Sequence, residues 1–173
     1  MKKLAGVLFG LGALTAVQAA PLVTFTDIVD PTPDLIMSDG GDVGTLKSFL
    51  YTHNIWDEGF DPNLYIIKSA SLFLTLEDDR TGDPLETFRI ILDDITLVDH
   101  VELNVGGYNL LVESEFLQED GQVVVKLTAR EGDFWFRKSE LTVTAATVPE
   151  PGTLALVSLG LLGLGFAARR RKV

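Results

Sequence analysis

Alternation of apolar and polar residues is the feature that most constrains how the middle of this chain folds. Leu72, Leu74 and Leu76 fall on one face of an extended strand and the residues between them on the other, because successive side chains of a strand point to opposite sides. These leucines belong to a strand-like segment over 65–76, and further ones occupy residues 46–51, 87–92, 101–105, 108–113, 122–129 and 134–144. The sequence therefore predicts an all-β fold, an antiparallel and jelly-roll-like β-sandwich of about eight strands.

Glycine and acidic residues separate these strands. Gly106 and Gly107 predict a tight turn between 101–105 and 108–113, and residues 114–117 are long enough for one helical turn. If 65–76 and 87–92 pair as a hairpin, the acidic residues at their ends approach one another.

Those acidic residues are the candidate metal ligands. Ca²⁺ takes six to eight oxygen ligands from loops, so acidic strand ends are candidates for a Ca²⁺ site. The residues concerned are Glu77, Asp78, Asp79, Asp83, Asp93 and Asp94. Their spacing is not that of an EF-hand loop, and solvated strand ends are the alternative interpretation.

Three aromatic residues are candidates for stacking on a sugar ring. Trp56 and Phe60 lie in the polar-aromatic segment 52–62, and Trp135 lies between Phe134 and Phe136, with its side chain on the opposite face. The alternative is that Trp56 and Phe60 close the edge of the core beside an Asp-Pro turn, and that Trp135 covers a sheet edge.

Signals for catalysis are poor. The chain has no cysteine and two histidines, His53 and His100. A Ser-His-Asp set would need a serine near one of them; the candidates are Ser48, Ser69, Ser71, Ser114 and Ser139. None lies in a Gly-x-Ser-x-Gly turn, and zinc-ligand spacing and a phosphate-binding glycine loop are absent from the sequence. We predict that the protein is not an enzyme and has no cofactor other than the candidate Ca²⁺.

Charge separates the two ends of the chain from its middle. The net charge is −11, but residues 20–147 hold 8 of the 14 Lys and Arg and 24 of the 25 Asp and Glu, which is a net charge of −16. Such a domain repels nucleic acid and attracts divalent cations. A solvated acidic surface is the simpler interpretation of most of this charge.

Residues 1–19 have the composition of a secretory signal peptide. Lys2 and Lys3 precede an apolar stretch over 4–17, and a cleavage site of small residues predicts cleavage after Ala19. The predicted mature body is therefore 20–147, about the size of one domain.

Residues 148–173 combine a Pro-Glu-Pro turn, an uncharged run and a basic end. The run over 152–168 would span about 25 Å as a helix, slightly less than the ~30 Å apolar core of a bilayer. The cations at the end predict that it stays cytoplasmic and that the body lies outside. We therefore predict a single transmembrane helix over 152–168.

These features resemble the PEP-CTERM sorting signal of exported bacterial proteins. The resemblance rests on a sorting motif at both ends of the run: Val148, Pro149, Glu150, Pro151, Arg169, Arg170 and Arg171. It implies recognition by an exosortase, a membrane-embedded transpeptidase-like enzyme, removal of the tail near the Pro-Glu-Pro, and a bacterium that makes exopolysaccharide. It covers only the tail, so it bears on sorting and not on activity.

Two functions for the body follow as hypotheses. The first is an exported structural or interaction domain, carried out by the secretion translocon, anchored by its tail until processing, and then placed at the cell surface or in the extracellular matrix. The second is an extracellular module that binds carbohydrate, such as exopolysaccharide, with Ca²⁺ as a candidate requirement.

Overall fold

Nine strands and one short helix make up the described part of the body. The computed structural model describes residues 20–40, 43–78, 85–103, 106–148, 157 and 160–162. The elements in chain order are β1 (Leu22–Val29), β2 (Leu35–Ser38), β3 (Ser48–Asn54), β4 (Tyr65–Asp78), β5 (Thr87–Leu92), β6 (Ile95–Glu102), β7 (Gly106–Val112), α1 (Glu115–Gln118), β8 (Gln122–Glu131) and β9 (Asp133–Thr147). The strands form two antiparallel sheets, consistent with the predicted β-sandwich.

The larger sheet is organised around β9. Its strand order is β1-β9-β4-β7, and β2 also pairs with β9. Phe25 of β1 lies opposite Val143, whereas Met37 of β2 lies opposite Phe134, so β1 and β2 pair with successive parts of the same long strand. Together, β1 and β2 therefore form one edge of a five-stranded sheet.

The smaller sheet has the strand order β3-β8-β5-β6. Its inward residues pack against those of the larger sheet in one continuous core. The predicted alternation of Leu72, Leu74 and Leu76 is confirmed, because all three are buried, as are Phe134 and Phe136. The predicted helical turn near residue 115 is also present, as α1.

Two predictions about strand pairing are wrong. The segments 65–76 and 87–92 do not form a hairpin: β4 pairs with β7 and β9, whereas β5 lies in the other sheet. Val101 and Glu102 are not the start of a strand but the last residues of β6, and Gly106 and Gly107 belong to β7 instead of a turn. Gly107 lies under the ring of Phe73, where a Cβ atom would come within 1.9 Å of Cζ.

The predicted signal peptide lies outside the described residues, as does most of the tail. Within the predicted transmembrane segment, Val157 and residues 160–162 are helical. No helix in the described parts of the chain is both long and apolar enough to cross a bilayer.

Candidate functional site

A buried polar trio joins the two sheets. His53 extends inward from β3, and its Nδ1 atom lies 2.6 Å from Asp27 Oδ2 on β1. Its Nε2 atom lies 2.8 Å from Ser139 Oγ on β9. Because an ionised carboxylate only accepts hydrogen bonds, the neutral ring donates from Nδ1 to Asp27 and accepts at Nε2 from the serine hydroxyl.

The core surroundings favour the uncharged ring. His53 and Ser139 have no exposed surface, and the Asp27 side chain is 22% exposed. Burial lowers the pKa of His53 below its usual value, and this outweighs the opposing effect of Asp27. Burial also raises the pKa of Tyr51, whose ring centre lies 5.5 Å from that of His53.

The trio has the hydrogen-bond order of a Ser-His-Asp hydrolase, but its hydroxyl is closed to substrate. A nucleophilic serine must reach a scissile bond, whereas Ser139 is fully buried between the sheets. Ser139 was one of five candidate serines in the sequence, and no sequence motif distinguished it from the other four. In this conformation the trio links β1, β3 and β9 and offers no site for chemistry.

The acidic candidates for Ca²⁺ are divided between separate places. Glu77 pairs with Arg137 at 2.7 Å. Asp93 and Asp94 form the two-residue turn between β5 and β6, with φ of 43° and 68°, and Asp93 Oδ1 accepts a hydrogen bond from the Val124 amide at 2.8 Å. Asp78 lies in the last position of β4.

No group of three or more His, Asp and Glu side chains in the described segments is arranged to hold a metal ion. Asp79 and Asp83 lie outside those segments. The Ca²⁺ site therefore stays a prediction, and the hairpin that was to assemble it is not formed.

The three candidates for sugar stacking differ in exposure. Phe60 is 1% exposed and contacts Phe25 edge-on, so it has no free face and belongs to the core. Trp56 is 51% exposed, which leaves its ring open to solvent. Trp135 is half-buried, and the guanidinium of Arg137 lies 5.2 Å from its ring centre on the outer side of the sheet.

Sequence reasoning missed a hydroxyl-rich surface on the larger sheet. In the β1–β9–β4 register, Thr24 lies beside Thr144, and Thr144 lies beside Ser69. One row further along, Thr26, Thr142 and Ser71 repeat this arrangement. We call these six residues the hydroxyl face.

A shallow depression of about 500 Å³ lies over the hydroxyl face and the neighbouring strand β7. It is lined by Ser69, Ala70, Ser71, Asn109, Leu111, Thr142 and Thr144. This lining contains no charged side chain, although the body around it is strongly acidic. Hydroxyl and amide groups beside the apolar Leu111, which is 81% exposed, are suited to neutral polar ligands with apolar C–H faces.

Comparison with known families bears on the tail. Residues 147–172 match the model of the PEP-CTERM protein-sorting motif. The chain carries a PEP-CTERM sorting signal. The signal starts at the last residue of β9, and it marks an exported protein that an exosortase processes. The motif predicted from the sequence is thereby confirmed, and no curated protein matches the chain.

Proposed function

We propose that the protein is an exported interaction domain of the cell envelope, delivered by its PEP-CTERM signal and released from the membrane by an exosortase. The observation that carries this proposal is the match of residues 147–172 to the sorting motif. In the proposed sequence of events the signal peptide directs export, the 152–168 helix holds the chain in the membrane, and processing frees the body for the cell surface or matrix.

Both ends of the body leave the sandwich together, which suits this order of events. The Thr147 amide donates to the Pro21 carbonyl at 3.3 Å, and the Val148 amide donates to the Leu64 carbonyl at 2.8 Å. The signal peptide and the sorting signal are thus attached to the same end of the sandwich. In the proposed anchored state this end faces the membrane.

We infer that the sandwich is of the jelly-roll class. When β1 and β2 count as one interrupted strand, the sheet orders β1-β9-β4-β7 and β3-β8-β5-β6 are those of an eight-stranded jelly roll built from two Greek keys. We propose no catalytic role for the body, since the one Ser-His-Asp trio among the described residues is buried.

A second candidate function is recognition of a neutral polysaccharide on the hydroxyl face. The uncharged depression of about 500 Å³ supports it, because closely spaced hydroxyl and amide groups match the hydroxyl groups of sugars. The test is a glycan array with the wild type and a Thr142→Val, Thr144→Val double variant. Binding to a neutral glycan that the double variant loses would support it, and Thr52→Val, on the outer face of the other sheet, should leave binding intact. An array without hits would exclude it.

The sorting proposal is tested by replacing Pro149, Glu150 and Pro151 with alanine while the apolar run stays intact. The variant should remain membrane-associated and unprocessed, whereas the wild type should be released from the inner membrane. A Lys126→Ala variant in the body should behave as the wild type. Equal release of the motif variant and the wild type would contradict exosortase processing.

A further inference from the structure

Two β-bulges flank Arg89 on opposite sides of β5 in the smaller sheet, and a further register shift lies between Ile90 and Ile91 on the β6 side. On the β6 side, Phe88 pairs with Val101 and Ile90 pairs with Val98, so Asp99 and His100 together lie opposite Arg89. His100 has a φ of 52°, an unfavourable backbone conformation for a residue with a Cβ atom.

On the β8 side, Thr87 pairs with Glu131 and Phe88 with Ala129, which leaves Arg130 as the extra residue. Bulges redirect side chains and recur beside functional sites. Here the bulges bring His100 and Arg130 into contact with Asp99, which also accepts from Arg89. We call Arg89, Asp99, His100 and Arg130 the arginine cluster.

The contacts within the arginine cluster converge on a single carboxylate. The Arg89 guanidinium donates to Asp99, and Arg130 Nε lies 3.2 Å from Asp99 Oδ1. His100 Nδ1 lies 3.1 Å from Asp99 Oδ1, and Arg130 donates to His100 Nε2 at 3.3 Å. The hydrogen bond from Arg89, with the charges of Arg130 and Arg89, lowers the pKa of Asp99 to about 2, so this carboxylate is ionised.

The arginine cluster holds more positive charge than Asp99 neutralises. It also holds more hydrogen-bond donors than the acceptors within it can take. Within the cluster two guanidinium groups face one carboxylate, a surplus of one positive charge in a body of net charge −16. The two guanidinium groups carry ten N–H donors, more than Asp99 and His100 accept from them. The Arg side chains are 29% and 31% exposed, so a ligand reaches them from solvent.

We propose that the arginine cluster binds an anionic oxygen group, a carboxylate or a phosphate, of a ligand outside the cytoplasm. The planar guanidinium fork matches the oxygen spacing of both groups. Asp99 keeps the two guanidinium groups separate and in place. The oxygens of the ligand accept from the N–H groups that are not bonded to Asp99. The bulges fix the positions of the guanidinium donors of Arg89 and Arg130, and a binding site requires donors in fixed positions.

The test uses calorimetric titration of the purified protein at about 20 mM ionic strength, where charge interactions are weakly screened. The probes are glucuronate for the carboxylate, inorganic phosphate for the phosphate, and glucose as the neutral control. The wild type should bind at least one of the two anions and should not bind glucose. Binding of glucuronate alone or of phosphate alone identifies which group the cluster prefers.

Matched variants separate a binding site from an ion-pair network that only fastens β5, β6 and β8. Arg130→Gln should weaken anion binding about tenfold or more, whereas Lys126→Gln, which removes one positive charge from the same outer face, should change it less than twofold. Asp99→Asn should tighten binding, because it removes a negative charge next to the incoming anion while the amide oxygen still accepts from the guanidinium groups; a purely structural network predicts only a lower melting temperature for this variant.

The proposal would be overturned if the wild type bound neither anion at a probe concentration of 10 mM. This concentration is on the order of the weakest specific dissociation constants. Equal losses in Arg130→Gln and Lys126→Gln would also overturn it. If Asp99→Asn fails to fold, the comparison of those two variants decides alone.

Discussion

His53 Nε2 and Ser139 Oγ lie 2.8 Å apart and join the two sheets by a hydrogen bond inside the core. The carboxylate of Asp27 fixes the other side of the same ring at 2.6 Å. A polar side chain is costly to bury unless its donors and acceptors are satisfied. Here both ring nitrogens have partners, so the trio specifies how β3 lies against β1 and β9.

Replacing Ser139 with alanine should destabilise the body by about 1–3 kcal/mol, because the Nε2 lone pair of His53 then lies buried without a donor. Urea unfolding at pH 7.5 measures the change. The control is Thr142→Ala, on the outer face of the same strand, where a change within about 0.5 kcal/mol is expected. A Ser139→Ala variant as stable as the wild type would show that the cross-sheet bond contributes nothing.

Stability should fall with acid through His53. Burial lowers its pKa in the folded state below the usual 6.5, so the unfolded chain takes up the proton first. The stabilisation from the neutral ring is complete above pH 6.5 and is lost as the pH falls from 6.5 towards the folded pKa, by about 1.4 kcal/mol for each pH unit between the two values. Unfolding free energies at pH 7.5 and 5.5 measure this loss.

The acid-sensitive contribution is isolated by variants. His53→Gln should lose less stability than the wild type between pH 7.5 and 5.5, since carboxylate contributions remain in both proteins. His100→Gln, at the half-exposed second histidine, is the matched control. An unchanged slope in His53→Gln would rule out His53 as the source.

The turn between β5 and β6 should be improved by glycine at its second position. Asp94 has a φ of 68°, which favours glycine in a two-residue hairpin turn, so Asp94→Gly should raise the unfolding free energy by about 0.5 kcal/mol. Asp30→Gly, where φ is not positive, should lower it. The gain should be equal in EDTA and in Ca²⁺. A gain that disappears in Ca²⁺ would instead indicate that Asp94 is a ligand.

The sequence predicted the strands that have one apolar and one polar face. It did not predict the strands in which the alternation of apolar and polar residues is interrupted. Leu72, Leu74 and Leu76 alternate with less buried residues, and β4 forms as predicted. In β1 the inward position after Phe25 is Asp27, whose charge interrupts the alternation of apolar and polar residues. Its hydrogen-bond partner, His53, is 26 residues away in the sequence. A local pattern does not contain that partner.

Strand β6 was missed for a different reason. The bulge at Asp99 and His100 shifts the alternation within the strand, so Val98 and Val101 do not follow a period of two. The hydroxyl face was missed because Thr24 and Thr144 are distant in sequence and adjacent only through the β1–β9 register. The tail needed no long-range pairing, and its motif was predicted from order and composition alone.

The masses of the two ends of the mature protein, isolated from the producing cell's envelope and medium, test the central claim most directly. We predict an N-terminus at Ala20 and a C-terminus at or upstream of Pro151, so that the apolar run and the arginines are absent from the released chain. An intact chain of 173 residues, recovered from the cytosol with both ends unprocessed, would contradict the account.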